Sequence, residues 1–175
     1  MRSWVAAVVM MAWCAGPAWA QEGTYAGVGY GSVAYEKDGF PTAEPAVLAF
    51  RLGRQIHRHL AFEARAGFGV GDDTVAYPGV PVTVKIDHYF GLYAKGILPL
   101  AESLSAYGLL GVMAGKVTAK GFGYIESRSD TEVSFGLGID LAVSRHSAIT
   151  FEWVELFSGS DYKVESASIG FAYRY

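Results

Sequence analysis

The sequence predicts an all-β protein, an eight-stranded antiparallel up-and-down barrel, from three observations. Apolar residues recur at every second position through most of the chain, and this period indicates strands because successive side chains of an extended chain point to opposite faces. Eight segments with this period follow one another, and none has a convincing helical stripe. Their connections alternate between short turns and long polar stretches, as in a barrel with tight turns at one end and loops at the other.

Residues 1–20, MRSWVAAVVMMAWCAGPAWA, have the order of a secretory signal peptide. Arg2 supplies the positive charge, residues 4–14 form the apolar run, and Ala18 and Ala20 are the small residues of a cleavage site. The apolar run is too short for a membrane anchor, since a spanning helix needs about 20 such residues. The sequence therefore predicts cleavage after Ala20 and one domain over residues 21–175.

The composition of this domain excludes several classes of protein. Its 155 residues contain no cysteine, because Cys14 lies in the predicted signal peptide. Without Arg2 the chain carries 13 Lys and Arg against 17 Asp and Glu, a balance too mild to indicate nucleic-acid binding. No second apolar run reaches the length of a spanning helix. If the domain enters a membrane, its strands must cross it.

The predicted strands have one apolar and one polar face, except for the fifth. They lie at 24–35, 46–56, 60–70, 82–98, 104–116, 131–143, 148–156 and 164–175. In the third, Phe62 and Phe68 share one face while Glu63 and Arg65 share the other. The fifth, LSAYGLLGVMAGK, is apolar on both faces and has no assignable phase. The short connections are 57–59, 99–103 and 144–147, and the long ones are 36–45, 71–81, 117–130 and 157–163.

Two features indicate that the apolar face points outward into lipid, as in a membrane barrel, rather than inward, as in a soluble one. The polar face carries many glycines, as expected where eight strands crowd around a narrow interior. The apolar face carries rings near the strand ends, where an aromatic girdle would meet the membrane interfaces: Tyr30, Phe62, Phe68, Phe90, Trp153, Tyr173 and Tyr175. A soluble eight-stranded ligand carrier is the alternative.

Ten charged residues share the face predicted to line the lumen. They are Arg51, Glu63, Arg65, Lys85, Asp87, Lys95, Glu132, Asp140, Glu152 and Arg174. Five bases against five acids favour a network of paired charges that braces the interior. The alternative is a charged constriction that conducts small solutes, although a selective pore more naturally carries a surplus of one sign and an eight-stranded lumen leaves little room.

Three stretches resemble the small outer-membrane β-barrel proteins of Gram-negative bacteria, of the opacity-protein and OmpA-transmembrane-domain type: HYFGLYAKGILPLAESLSAYGLLGV, FGLGIDLAVSRHSAITFEW and ASIGFAYRY. The resemblance implies an integral outer-membrane protein. It also implies outer-membrane lipid, lipopolysaccharide and the barrel-assembly machinery as partners, with an unidentified ligand of the outer loops. By resemblance, Ile169, Phe171, Tyr173 and Tyr175 form the C-terminal assembly signal, although the family usually ends on Phe.

No catalytic, cofactor-binding or metal site is predicted. No helix follows the glycines of GTYAGVGYGS, and a nucleotide-binding loop needs one. In GVMAGKV, Val117 follows Gly115-Lys116 at the position where a phosphate-binding loop has Ser or Thr. His146 and Ser147 are adjacent rather than in H-x-S spacing, in a turn assigned to the periplasm. His57-x-His59 lacks further ligands.

These observations predict a structural or interaction role, in envelope integrity or adhesion, through four outer loops above a packed, ion-paired lumen. A narrow porin-like channel for ions or small solutes is the first alternative. A lipid A-modifying enzyme is the second, and it lacks the nucleophile and base that such chemistry needs.

Overall fold

The computed structural model describes residues 23–37, 40–76, 81–121, 124–158 and 162–175. Within these ranges the chain is built from strands. They are β1 Thr24–Lys37, β2 Phe40–Ala43, β3 Ala46–His57, β4 Leu60–Gly69, β5 Asp73–Ala76, β6 Pro81–Pro99, β7 Leu104–Gly121, β8 Tyr124–Ala142, β9 Ser147–Ser158 and β10 Tyr162–Arg174. No helix in the described part of the chain is long and apolar enough to cross a membrane.

The eight long strands form a closed barrel, which confirms the predicted fold class. The strand order is β10-β9-β8-β7-β6-β4-β3-β1, and each neighbouring pair is antiparallel. β1 pairs with β10 from Tyr25 opposite Arg174 to Lys37 opposite Tyr162, which closes the sheet. Closure leaves no free edge along β1 and β10, so the backbone groups there are hydrogen-bonded.

The strands at the long-loop end are more extensive than the sequence predicts. β2 and β5 lie inside the predicted connections 36–45 and 71–81, where they pair with β1 and β6. The prediction of a loop over 117–130 is wrong for most of these residues. β7 and β8 remain paired there, from Lys116 opposite Ser129 to Gly121 opposite Tyr124. These segments lack apolar alternation in the sequence, so the period-two signal that identifies the other strands is absent.

An apolar band surrounds the outside of the barrel. On β8 and its turn, every second residue from 133 to 143 is an exposed aliphatic or aromatic residue: Val133, Phe135, Leu137, Ile139, Leu141 and Val143. This length matches the about 9–11 residues with which a tilted strand crosses a bilayer. The rings predicted for the two interfaces also point outward, including Tyr30, Phe62 and Phe90 with more than half of their surface exposed. The outward orientation of the apolar face follows.

The register also gives the phase of β7, which the sequence left unassigned. Tyr107, Leu109 and Met113 point into the barrel and are buried, whereas Leu110 and Val112 point outward and are exposed. Because β7 is apolar on both faces, one set of side chains packs the interior and the other meets lipid.

A β-bulge in β6 reverses the predicted orientation of two charged residues. The register between β6 and β7 shifts between Ile86 and His88, and Ile86 and Tyr89 both belong to the interior cluster although they are three residues apart. The extra residue, Asp87, therefore switches the faces of the strand. Lys85 and Asp87 lie on the outer face, where Thr118 donates a hydrogen bond of 2.7 Å to Asp87. Their predicted lumen position is wrong, because a period-two count does not detect one inserted residue.

Candidate functional site

The interior of the barrel has two layers that differ in chemistry. The charged layer, nearer the short-turn end, comprises Tyr25, Arg51, Glu63, Arg65, Lys95, Tyr107, Asp140, Thr150 and Glu152. The apolar layer, nearer the long-loop end, comprises Val33, Val47, Ile86, Met113, Val154, Leu156, Phe157 and Val164. Interior tyrosines, including Tyr89 and Tyr93, pack between and against both layers. Most of these positions follow from the alternation of side chains along each strand. The register shifts in β6 and between β9 and β10 bring in Ile86 and the adjacent Leu156 and Phe157.

Arg65 on β4 is the hub of the charged layer. Its Nη1 and Nη2 groups donate hydrogen bonds of 2.6 and 2.7 Å to the two carboxylate oxygens of Glu152 on β9. Its Nε group donates to Glu63, two residues earlier on the same face. Its guanidinium also lies 5.0 Å from the ring centroid of Tyr93. One side chain thus joins two acids from opposite parts of the barrel wall, in the bidentate geometry that makes Arg–carboxylate pairs strong.

Tyrosine hydroxyls complete the coordination of both acids. Tyr25 donates a hydrogen bond of 2.6 Å to Glu63, and Tyr107 donates one of 2.8 Å to Glu152. The side chain of Glu63 is fully buried, and that of Glu152 is 7 % exposed. Buried carboxylates at this depth are stable as anions only when paired and hydrogen-bonded, and both conditions are met here.

Two further cations extend the network toward the short-turn end. Arg51 on β3 donates a hydrogen bond to Thr150 and lies 3.7 Å from Glu152. Lys95 on β6 pairs with Asp140 on β8 at 2.8 Å, and its ammonium lies 3.7 Å from the ring centroid of Tyr107. Three cations therefore oppose three carboxylates within the charged layer.

The ten predicted lumen charges thus fall into distinct places. Six form the charged layer: Arg51, Glu63, Arg65, Lys95, Asp140 and Glu152. Arg174 lies at the short-turn mouth and is exposed. Glu132 lies on the lumen face of β8, opposite the buried Met113. Lys85 and Asp87 lie on the outer wall, as described for the β6 bulge.

The interior tyrosines are the part of the site that pattern reading missed. Each lies directly opposite a glycine on the neighbouring strand: Tyr25 opposite Gly53, Tyr89 opposite Gly67, Tyr93 opposite Gly111 and Tyr107 opposite Gly138. A Cβ atom on any of these glycines would overlap the facing ring or the strand beside it. The glycines therefore give the rings room to fold across the wall. The sequence shows tyrosines and glycines on one face, but their pairing depends on the register.

The apolar layer closes the long-loop half of the interior. Val33, Val47, Met113 and Val164 each retain 2 % or less of their surface accessible. A small cavity of about 30 Å³ lies between the two layers, with Arg65, Tyr89 and Met113 among its lining residues. A space of this size holds about one water molecule. The described side chains of this layer are therefore closely packed, with room for about one water molecule beside them.

The short-turn end is open by comparison. A cavity of about 280 Å³ enters the barrel there and reaches Tyr25, Arg51, Lys95 and Asp140, which form its floor. Asp140 accepts a hydrogen bond from Lys95 through its Oδ2 atom, while its Oδ1 atom is buried without a hydrogen-bond partner. The charged layer thus separates this mouth from the rest of the lumen.

The histidines predicted to carry no chemistry have other contacts. The His146 ring stacks on Tyr173 with centroids 6.1 Å apart. The His57 and His59 rings lie 5.7 Å apart, and His59 Nδ1 is within 3.0 Å of the Ile97 carbonyl oxygen. No group of three or more His, Cys, Asp or Glu suited to a metal ion occurs among the residues that the structure describes.

Two predicted sites involve the ends of the chain. Ile169, Phe171, Tyr173 and Tyr175 share the outward face at the end of the chain and are all exposed, and their role as an assembly signal stays a prediction. Ala18 and Ala20, the predicted cleavage site, lie outside the described residues.

Comparisons with known proteins agree with this geometry. The model of the outer membrane protein β-barrel domain family matches residues 5–175. Among solved structures, the attachment invasion locus protein Ail of Yersinia pestis superposes with a TM-score of 0.65 at 21 % identity, over 88 % of this chain and 99 % of that one. Neisserial surface protein A superposes with a TM-score of 0.68 at 11 % identity, over 88 % and 98 %.

A third solved structure has the same fold, whereas no similar curated sequence is found. The N-terminal β-barrel domain of OprF from Pseudomonas aeruginosa superposes with a TM-score of 0.56 at 10 % identity, over 84 % of this chain and 96 % of that one. No curated protein sequence matches the chain significantly. At these identities the solved structures establish the shared fold.

Proposed function

The chain belongs to the outer membrane protein β-barrel domain family, and we propose from this premise that it acts as a sealed barrel with a structural and interaction role. It is an integral protein of the outer membrane. In the proposal, the barrel anchors and positions a surface that contributes to envelope integrity or adhesion, and the lumen serves as a solid core.

The observation that carries the proposal is the closed interior. The charged layer is neutral overall and its members are paired across the lumen. Above it, the apolar layer includes Met113 and Val47, which are each 1 % exposed. An ion crossing this layer would have to lose its water shell without replacement ligands, which is costly. The narrow-channel alternative is supported by the open mouth of about 280 Å³, but the mouth ends at the charged layer.

The surface available for interaction is a wall formed by β6, β7 and β8. These strands contain 19, 18 and 19 residues, compared with 12 in β3 and 10 in β4. Leu92, Val112 and Val133 lie side by side on the outer face and are half or more exposed. Four residues further toward the loops, the outer face carries His88, Lys116 and Ser129. This change from apolar to polar marks where the wall leaves the lipid.

Beyond Lys116 and Ser129, β7 and β8 remain paired over a length sufficient to reach a partner. From Lys116 to Gly121 and back from Tyr124 to Ser129, the β7–β8 hairpin remains hydrogen-bonded. Six residues of strand add about 20 Å of length at about 3.4 Å per residue. We refer to this segment, residues 116–129, as the β7–β8 extension.

The ligand crystallised with one structurally similar protein suggests a first probe for this surface. Ail was crystallised with the heparin analogue sucrose octasulfate. A sulfated polysaccharide is therefore a reasonable probe for the outer surface of this barrel. We further propose that the protein is not an enzyme, since the proposal requires only a rigid support and a surface.

The test removes the β7–β8 extension while keeping the barrel. Because Lys116 lies opposite Ser129, replacing residues 117–128 with Asn-Gly closes the hairpin in a two-residue turn. Bacteria displaying the native or shortened protein are compared for adherence to immobilised heparin and to cultured epithelial cells, and for sensitivity to detergent. A Glu102→Ala variant, altered only in the short turn at the opposite end, is the matched control.

We expect the shortened protein to reach the outer membrane in native amount and to lose adherence, while Glu102→Ala retains it. Heat-shifted gel mobility of the outer-membrane fraction verifies folding. Equal adherence of native, shortened and empty cells, together with unchanged detergent sensitivity in cells lacking the protein, would refute the proposed role.

A further inference from the structure

A basic groove lies at the rim of the short-turn end, outside the charged layer. It has a volume of about 470 Å³ and runs between the β3–β4 turn, the turn before β9 and the end of β10. Arg58, Arg145 and Arg174 line it together with His57 and His146. We call it the rim groove. It is continuous with the mouth cavity, because the same three arginines also line that cavity.

Backbone hydrogen bonds hold the walls of the rim groove in place. The amide of Arg174 donates to the carbonyl of His146 at 2.7 Å, which ties the turn before β9 to β10. The amide of Gln55 donates to the carbonyl of Gly23 at 2.7 Å, and the amide of Tyr175 donates to that of Thr24 at 3.0 Å. The arginines are therefore attached to a fixed frame, and a ligand need not order the backbone.

The charges in the rim groove are unbalanced. No Asp or Glu side chain lines it, and none of the ion pairs among the described residues involves Arg58, Arg145 or Arg174. The three guanidinium groups are therefore not balanced by any acidic side chain of the groove. Their mutual repulsion is relieved by an anion, and the planar donor fork of arginine suits a phosphate group. The charged layer, by contrast, has each of its cations paired.

The position of the rim groove indicates which anion it meets. Ile56 and Tyr175 belong both to its lining and to the lipid-facing surface, where they are 55 % and 72 % exposed. Tyr173 packs edge-on against Tyr175 with centroids 5.4 Å apart and stacks on His146. Tyrosines at this level mark the membrane interface, where lipid headgroups lie. The groove thus places three cations beside an apolar surface that accepts an acyl chain.

We propose that the rim groove binds the headgroup phosphate of an anionic phospholipid in the leaflet at the short-turn end. In the bound state, Arg58, Arg145 and Arg174 surround the phosphate, while one acyl chain lies along Ile56 and Tyr175. The inference depends only on the membrane position of the barrel. It is independent of what the long-loop end binds, so either proposal can fail without the other.

The test measures which lipids remain bound to the folded protein. Native protein is refolded into phosphatidylcholine nanodiscs containing a minor fraction of phosphatidylglycerol, and native mass spectrometry counts the lipids retained after release. The test variant is Arg58→Gln/Arg145→Gln/Arg174→Gln. The matched control, Lys85→Gln/Lys116→Gln/Lys163→Gln, removes the same charge from the long-loop end. Heat-shifted mobility confirms that each variant is folded.

We expect the native protein and the long-loop control to retain phosphatidylglycerol in preference to phosphatidylcholine, and the rim variant to lose this preference. Each basic residue near a membrane surface contributes about 1 kcal/mol, so a single Arg174→Gln or Arg145→Gln change should reduce the preference about fivefold. These single variants keep the test decisive if the triple variant does not fold. An Arg174→Lys variant, which keeps the charge but not the fork, should retain part of the preference.

Three results would overturn the proposal. The first is an equal lipid preference in native protein and all folded rim variants. The second is displacement of the retained lipid by inorganic phosphate at millimolar concentration, which would identify a soluble phosphate site. The third is sedimentation with purified peptidoglycan that depends on the same three arginines and occurs without lipid preference.

Discussion

The two interior layers are made by the same strands in the same barrel, yet they are stabilised in different ways. In the charged layer, Arg65 connects Glu63 and Glu152, and each group depends on a specific partner. In the apolar layer, Met113, Val47 and Phe157 fill space without directional contacts. The comparison indicates that an eight-stranded lumen can be closed by pairing or by packing. The two layers should therefore respond differently to mutation.

The largest effect is expected from Arg65→Ala. The substitution removes the only cation that the structure pairs directly with Glu63 among the described residues, and it leaves Glu152 with the more distant Arg51 alone. Breaking a buried ion pair in this way costs about 3–5 kcal/mol. The measurement is urea-induced unfolding in detergent micelles, followed by tryptophan fluorescence. Arg65→Met/Glu63→Gln/Glu152→Gln, which removes all three charges together, should recover much of the loss. An unchanged midpoint in Arg65→Ala would show that these acids are not held by Arg65.

A slightly smaller effect is expected from Met113→Ala in the apolar layer. Met113 is fully buried, and truncating a buried methionine costs about 2–5 kcal/mol through lost contacts and the cavity left behind. The same unfolding assay applies. In the charged layer a second substitution can restore stability by removing the unpaired charge. Here a second substitution should restore stability only if it refills the cavity left by Met113. Rescue of Met113→Ala by a charge change would contradict the distinction between the layers.

A moderate effect is expected where an interior ring crosses a glycine. A methyl group at Gly67 would overlap the Tyr89 ring, so Gly67→Ala should destabilise the barrel by about 1–3 kcal/mol through overpacking. Gly96 on β6 has no atom within 4 Å of an added Cβ, and Gly96→Ala is the matched control. Equal unfolding midpoints for the two alanine variants would show that Tyr89 does not need the space above Gly67.

The smallest effect is expected from Lys163→Met, at an exposed position on β10. Lys163 pairs with Glu165 at 2.6 Å and Glu155 at 3.3 Å, but its side chain is 43 % exposed. Ion pairs this exposed contribute little to stability, because water screens the charges and the side chains lose entropy when they pair. Lys163→Met should therefore leave the unfolding midpoint within experimental error of the native value. A loss comparable to that of Arg65→Ala would remove the contrast between buried and surface charges.

The sequence was sufficient for the fold because barrel strands carry their own pattern. Alternation along β3, β4 and β8, together with alternating connection lengths, predicted eight antiparallel crossings and their outward apolar face. It also placed Arg51, Glu63, Arg65, Lys95, Asp140 and Glu152 on the face that lines the lumen. Each of these positions follows from counting by two along a regular strand.

The sequence was insufficient wherever regular counting stops. A single inserted residue, Asp87, moved Lys85 and Asp87 to the outer wall. The β7–β8 extension looked like a loop because both of its faces lack a lipid-facing pattern. The pairing of Tyr89 with Gly67 and of Tyr107 with Gly138 depends on cross-strand register, which a single sequence does not specify. The basic character of the rim groove likewise comes from three separate chain segments.

The measurement that tests the central claim most directly is the conductance of the refolded barrel, residues 21–175, in a planar lipid bilayer. Heat-shifted mobility confirms folding beforehand, and a larger porin added afterwards shows that the membrane reports open channels. The two sealed layers predict a silent bilayer over the full range of applied voltage. Steady, reproducible current steps from the folded protein would contradict the sealed interior and identify the charged layer as the selectivity region of a channel.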